Sequence, residues 1–308
     1  MSGYGLSTLT AGDNIYFATG NTHHGTYAAP ANLSESVVKL APDLSAIQGY
    51  FTDPQQVQED TSDLDLGSGG VMVLPTMPGI NPRLLIAAGK LGNMYLLAAN
   101  NMKLLATYPI GPCWCGPSFY QGADGVFRVV SSGGQNVMIW DLATSNSSPA
   151  TLTKERAITI TSGPDLGFFT SVSSNGPQPG TAIIWAVGRP TAIPGAPTLY
   201  AIDPTTGVIL LQTPAGNWTV GSSNANIVPT VANGHVYVGS NTELQIFCLP
   251  GAAMAAAVAK PSTAGERATA AAAPTREAGR ARRHRLDQAN RAGLADHRNP
   301  HRTARAGR

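Results

Sequence analysis

What most constrains this chain is a pattern that returns about every fifty residues. A short run, small, polar and glycine-rich at its start and apolar at its end, leads three further strand-like runs. The leading runs are GSGGVMVLP (67–75), WCGPSFYQG (114–122), FFTSVSSNG (168–176) and NANIVPTVANG (224–234). Measured from Gly70, Gly116, Ser171 and Ile227 they are spaced by 46, 55 and 56 residues. Behind the first come RLLIAAG (83–89), MYLLAAN (94–100) and KLLATYP (103–109). Behind the second come FRVVSSG (127–133), VMIWDLA (137–143) and, past a polar loop, ERAITI (155–160). Behind the third come AIIWAVG (182–188), TLYAID (198–203) and VILLQT (208–213), and HVYVGS (235–240) with ELQIFCL (243–249) continues the series. Upstream, NIYFATG (14–20), ESVVKLAP (35–42) and IQGYF (47–51) make the same three-strand meander. Small side chains suit strands crowded at a common axis, and bulky Val, Ile, Leu and Trp suit strands farther out. The spacing therefore predicts an all-β chain, a β-propeller of four-stranded antiparallel blades, with four blades and a partial fifth present.

Local chemistry agrees with short strands and tight turns. Asp203-Pro204-Thr205-Thr206-Gly207 puts proline where φ is fixed and glycine where φ must be positive. No segment sustains a 3.6-residue apolar period, so helices are expected to be minor.

Composition matters at one place, the break near residue 250. Residues 1–250 hold 8 Lys and Arg against 14 Asp and Glu, a net of −6, whereas residues 251–308 hold 12 against 4, a net of +8. That last stretch has no aromatic residue, no Ile and two Leu. It cannot bury enough apolar area to offset its ordering entropy, so a disordered Ala/Arg-rich tail is expected after a propeller domain over 1–250. A basic arm can bind nucleic acid or anionic lipid by counterion release. A solvated tail is the favoured reading, and nucleic acid is not an expected partner. The abrupt Ala, Arg, Gly, Pro and His excess after ELQIFCL also looks like GC-rich DNA translated out of frame. The first residues carry no basic n-region and apolar h-region, and no window has the 18 uninterrupted apolar residues of a membrane span.

The unit TLYAIDPTTGVILLQT followed by HVYVGSNTELQIFCL resembles the repeat of pyrroloquinoline quinone (PQQ) type propellers, the quinoprotein alcohol dehydrogenase-like superfamily. The resemblance covers residues 12–249. The family holds calcium- and PQQ-dependent dehydrogenases as well as cofactor-free scaffolds, so it implies a fold more than an activity. It implies a periplasmic or secreted protein, although no signal peptide is present. Family rings have about seven or eight blades, so the resemblance also implies a fragment with an open ring, unpaired strand edges and exposed apolar faces.

YFATGN, NLSESVVKLAPDLS and DLDLGSGG resemble the part of the dehydrogenases that brings an Asn metal ligand and a catalytic Asp to the axis. By that resemblance Asn21 or Asn32 would bind calcium, and Asp65 or Asp63 would take the proton of a small alcohol or sugar while hydride passes to PQQ. Asp63 and Asp65 share a face if their run is extended, and crowded oxygen donors suit calcium; a solvated acidic turn needs no ligand. The family's WD pair is absent here, and its Glu ligand would lie in blades not present. Cys113-Trp114-Cys115 resembles the place where the family carries a disulfide of adjacent cysteines against the quinone, which would make Cys113, Trp114 and Cys115 cofactor-binding. Read from the residues alone, two cysteines at i and i+2 can ligate a soft metal, pair, or, most commonly, pack as small buried residues beside Trp. Cys248 leaves an odd count.

The remaining motifs are weak. His23-His24 lacks a third ligand at zinc spacing. GSGG (67–70) lacks the P-loop lysine. Trp114, Trp140, Trp185 and Trp218 recur about once per repeat and read as packing between blades. Two functions from different classes follow: a non-catalytic scaffold that meets a protein partner, which is favoured, and a PQQ- and calcium-dependent oxidation module.

Overall fold

The computed structural model describes residues 5–22, 27–77, 80, 82–145, 148–163, 166–219, 226–241 and 243–248. The chain divides into two units, Met1–Ala253 and Met254–Arg308. The second, which includes the expected disordered tail, lies outside the described residues, as does His23-His24.

The first unit is all-β, and its strands pair with their neighbours in sequence. Strands β1 (Ile15–Ala18), β2 (Ser36–Leu40) and β3 (Ile47–Thr52) form one antiparallel sheet, to which Ser7 adds a bridge at Tyr16. Helix α1 (Gln56–Ser62) and a 3-10 turn (Leu66–Ser68) follow. The second sheet holds β4 (Val71–Val73), β5 (Leu84–Ala88), β6 (Asn93–Ala98) and β7 (Lys103–Pro109). The third holds β8 (Ser118–Gln121), β9 (Phe127–Gly133), β10 (Asn136–Ser145) and β11 (Ser148–Thr159). The fourth holds β12 (Phe169–Ser173), β13 (Ile183–Gly188), β14 (Thr198–Ile202) and β15 (Ile209–Pro214). The fifth holds β16 (Thr230–Ala232), β17 (His235–Gly239) and β18 (Leu244–Cys248). Gly70, Gly116, Ser171 and Ile227 all fall in or just before the first strand of a sheet.

Four apolar clusters explain why the middle strands are apolar at successive positions. Leu85, Ala87 and Leu97 join Tyr16, Val37 and Phe51 of the first sheet. Their sequence neighbours Leu84, Ile86, Ala88 and Leu96 point the other way, to Val129, Met138 and Trp140 of the third. Ile139, Ile184 and Tyr200 fill the next layer, and Trp185, Val187, Val236 and Val238 the one after. Each inner sheet is thus covered on both faces, and period-two alternation sorts residues between two cores rather than between core and water.

Most of the large buried aliphatic residues lie on the second and third strands of the sheets, farther out than the leading strands as expected, but Phe168 and Phe169 are buried at the start of the leading strand β12 and the last strands are partly exposed. Val208, Leu210, Leu244 and Ile246 are more than half exposed on or beside the last strands. The polar loop expected over 144–154 is a second difference. There β10 and β11 run on as a long hairpin, with Leu142 opposite Leu152 and Ala143 opposite Thr151, because Thr and Ser pair well across strands. The Asp203 turn forms as expected: Asp203 Oδ1 accepts the Thr205 N–H at 2.8 Å and Gly207 has φ of 77°.

Candidate functional site

The long connection between β3 and β4 returns to the end of β1 and encloses a set of acids. Its middle is helix α1, which the apolar pattern could not reveal because QVQEDTS has no apolar stripe; its one buried side chain is Glu59. The helix stops at Asp63, whose left-handed backbone (φ 56°) caps it. Asp63 and Asp65 therefore do not lie along an extended strand, yet both still reach Lys90 in the β5–β6 turn. Lys90 Nζ lies 2.5 Å from Asp65 Oδ2 and 3.4 Å from Asp63 Oδ2, and it donates to the Asp63 carbonyl at 3.0 Å. The Lys90 and Asp65 side chains are 6% and 12% exposed, whereas Asp63 is 78% exposed and adds little.

The other Asp65 oxygen faces Asn21 at the end of β1. The Asn21 N–H donates to Asp65 Oδ1 at 3.2 Å. Its carboxamide nitrogen, oriented so that both neighbours are satisfied, donates to Asp65 Oδ1 at 2.7 Å and Glu35 Oε1 at 2.8 Å. Glu35 is fully buried, has a left-handed backbone (φ 44°), and takes the Leu66 N–H on Oε2 at 2.6 Å. Asn21, Glu35, Asp65 and Lys90 thus close one network. Asp60 joins its outer side by accepting from Thr22 N–H at 2.7 Å and Thr22 Oγ1 at 2.9 Å. Asn32, the other expected ligand, pairs through its backbone with Ala28.

Burial and charge act in opposite senses here. Burial pushes Glu35 up to about 7, and nearby Asp65, Asp60 and Asp53 raise it further against the Leu66 N–H. Burial also pushes Asp65 up, but the Lys90 ammonium and the Asn21 N–H outweigh it and hold that carboxyl below the ordinary range. Burial pulls Lys90 down, but Asp65 and then Asp63 outweigh it and hold the ammonium above its ordinary value.

Trp114 lies beyond Lys90, its ring centroid 5.7 Å from Nζ. The Trp114 carbonyl accepts from Arg189 Nη2 at 2.6 Å, and Arg189 also donates to the Gly167 carbonyl at 3.0 Å. Cys113 and Cys115 are paired as a disulfide with Cα atoms 5.2 Å apart, so the reading of two unpaired small residues is corrected. A bend at Trp114 and Cys115, ahead of β8, brings the two cysteines together, and Ser132 Oγ lies 2.9 Å from Cys115 Sγ. Cys248 is free and exposed. Trp140 and Trp185 pack between sheets as expected, Trp218 packs in part against the last cluster, and Trp114 instead faces Lys90.

The pairing is checked by counting thiols: native and denatured chain should each take one alkyl label, on Cys248, and three after reduction. Because the closed loop is so short, the double variant Cys113→Ala/Cys115→Ala should lose only about 1–2 kcal/mol to urea.

Whether calcium and PQQ fit can be judged from the donors. The Asn21 carboxamide spends its nitrogen on the two carboxylates that would share an ion with it, and Asp65 already holds an ammonium. Among the described residues no three His, Cys, Asp or Glu side chains converge as a metal group. The donor set does not fit a calcium ion, and its charge is met by Lys90. Sequence reasoning missed Glu35, Lys90 and Arg189; the one available signal was the scarcity of cations, 8 in 250 residues, which makes a lysine in a turn between two apolar strands conspicuous. No protein-family model matches the chain, and no curated protein matches it.

Proposed function

We propose that the five sheets are consecutive blades of a β-propeller of the quinoprotein-like class, and that the chain serves as a non-catalytic scaffold. First strands of neighbouring sheets approach one another, as blades around an axis require. Ser118 Oγ is 2.9 Å from Thr170 Oγ1, and Ser171 Oγ donates to the Pro229 carbonyl at 2.7 Å. The observation that carries the non-catalytic reading is the Lys90–Asp65 pair. A general base must be free to take a proton near the working pH, whereas Asp65 is buried, ion-paired and held acidic. The pair works as a brace that ties the α1 connection to the second sheet.

Saturating PQQ with calcium is expected to leave the melting temperature unchanged, because only a ligand that binds the native state stabilises it by mass action. A rise of several degrees that vanishes in Asp65→Asn would establish a cofactor site and overturn the scaffold reading. No helix among the described residues is long and apolar enough to cross a membrane.

A further inference from the structure

Beside the Lys90 network lies a second group of acids that it does not use. Glu59 of α1 is 1% exposed and Asp53, between β3 and α1, is 2% exposed. Both Glu59 carboxylate oxygens, Asp53 Oδ2 and the Tyr95 hydroxyl of β6 are buried with no hydrogen-bond partner. Asp53 satisfies only its Oδ1, which takes the Gln55 N–H at 2.7 Å. Asp53 neighbours both the Glu59 carboxyl and the Tyr95 hydroxyl and raises both, yet no hydrogen bond joins them. Glu35 faces the pair from before β2 and Asp65 from beyond α1, both adding negative charge. Lys90 is spent on Asp65. Two bare carboxylates cannot remain buried side by side with three of their four oxygens unmatched.

We infer that Asp53 and Glu59 share one proton, Glu59 donating to Asp53 Oδ2, and that losing this proton to solvent releases α1 and the acidic arm that closes on Lys90. One proton turns two facing acceptors into a donor and an acceptor. It also leaves a single negative charge for Tyr95 to approach. The release follows from position: Glu59 is the buried anchor of α1, and the chain just after it carries Asp60, Asp63 and Asp65 to their partners.

Burial, with Asp53 and Glu35 next, pushes Glu59 up to about 9, while Glu35 sits at about 7. A raised carboxyl stabilises the fold below its unfolded value, and that contribution fades as pH climbs to the folded value. Glu35 is half titrated at about pH 7 and nearly spent a unit above, so the interval from about 8 to 9 reports Glu59. There the unfolding constant of the full chain should rise up to tenfold per pH unit, the limit for one proton.

Urea unfolding of wild type and Glu59→Gln between pH 7 and 9, with infrared spectra of the same samples, tests this. The expected result is a steep loss of stability above pH 8 in wild type that Glu59→Gln abolishes, with a protonated-carboxyl C=O band that persists at pH 8, where Glu35 is largely ionised, fades by pH 10 and is missing from the variant at pH 8. Equal slopes in both proteins above pH 8, or no such band in wild type at pH 8, would overturn the proposal. So would stabilisation of wild type by calcium alone that Glu59→Gln removes, since a cation would then hold the pair. Should Glu59→Gln fail to fold, the wild-type infrared titration decides by itself.

Discussion

Lys90→Met is expected to destabilise the folded chain by about 3–5 kcal/mol, the range seen when one partner of a buried ion pair is removed. Methionine keeps most of the stem's packing, so the loss isolates charge. Without the ammonium, Asp65 stays 12% exposed with a negative charge beside buried Glu35, and only Asn21 is left to satisfy it. Adding Asp65→Asn removes that orphaned charge and should return a large part of the loss, so the double-mutant cycle reads the coupling directly. The pH dependence has a definite sign. Asp65 is held below its ordinary value, so the pair's contribution is complete above the unfolded value near ~4 and is lost in stronger acid. Glu35 and Glu59 have the opposite shift and weaken the fold as pH rises. Acid and alkaline limbs of the stability profile therefore report different residues. A Lys90→Met chain that loses less than about 1 kcal/mol, as an exposed pair would, sinks the idea of a brace.

How the site came to be only half legible follows from the same residues. The apolar runs could be read because each is long enough to show whether one face or both are covered, and LLIAA and NMYLLA are buried throughout or nearly so. Asn21, Asp63 and Asp65 stood out because a resemblance pointed to their run, and the structure does gather Asn21 and Asp65. It does so around a lysine, however, and a lone lysine in a turn has no local signature of burial. Glu35 is a similar case: its neighbours Ser34 and Ser36 read as an ordinary strand edge, and only tertiary partners, the Leu66 N–H 31 positions away and the Asn21 carboxamide, account for it. Helix α1 was invisible for the converse reason. Apolar periodicity finds helices that bury hydrocarbon, and this one buries an acid. Charge that is matched only through tertiary contacts leaves no periodic trace.

The second large effect concerns the crowding inferred from the slender leading runs. A Cβ added at Gly69 would lie 1.8 Å from the Ala88 carbonyl oxygen and 2.5 Å from that of Cys115. Both obstacles are backbone, one at the end of β5 and one just before β8, so neither can swing aside as a side chain would. Gly69→Ala must therefore push the chain entering β4 off its own neighbour β5 and off the third sheet at Cys115, beside the Leu84, Ile86 and Cys113 cluster. Overpacking a core ordinarily costs about 1–3 kcal/mol with side chains free to adjust; against two fixed carbonyls the loss should exceed about 3 kcal/mol. Gly239→Ala is the control. Gly239 ends β17 with nothing within 4 Å of its added Cβ, so its urea midpoint should stay within about 0.5 kcal/mol of wild type. The contrast separates crowding from a general intolerance of alanine in strands. Equal midpoints for the two variants would mean that the backbone around Gly69 can give way at little cost. The glycine-rich starts would then need another cause than steric approach between sheets.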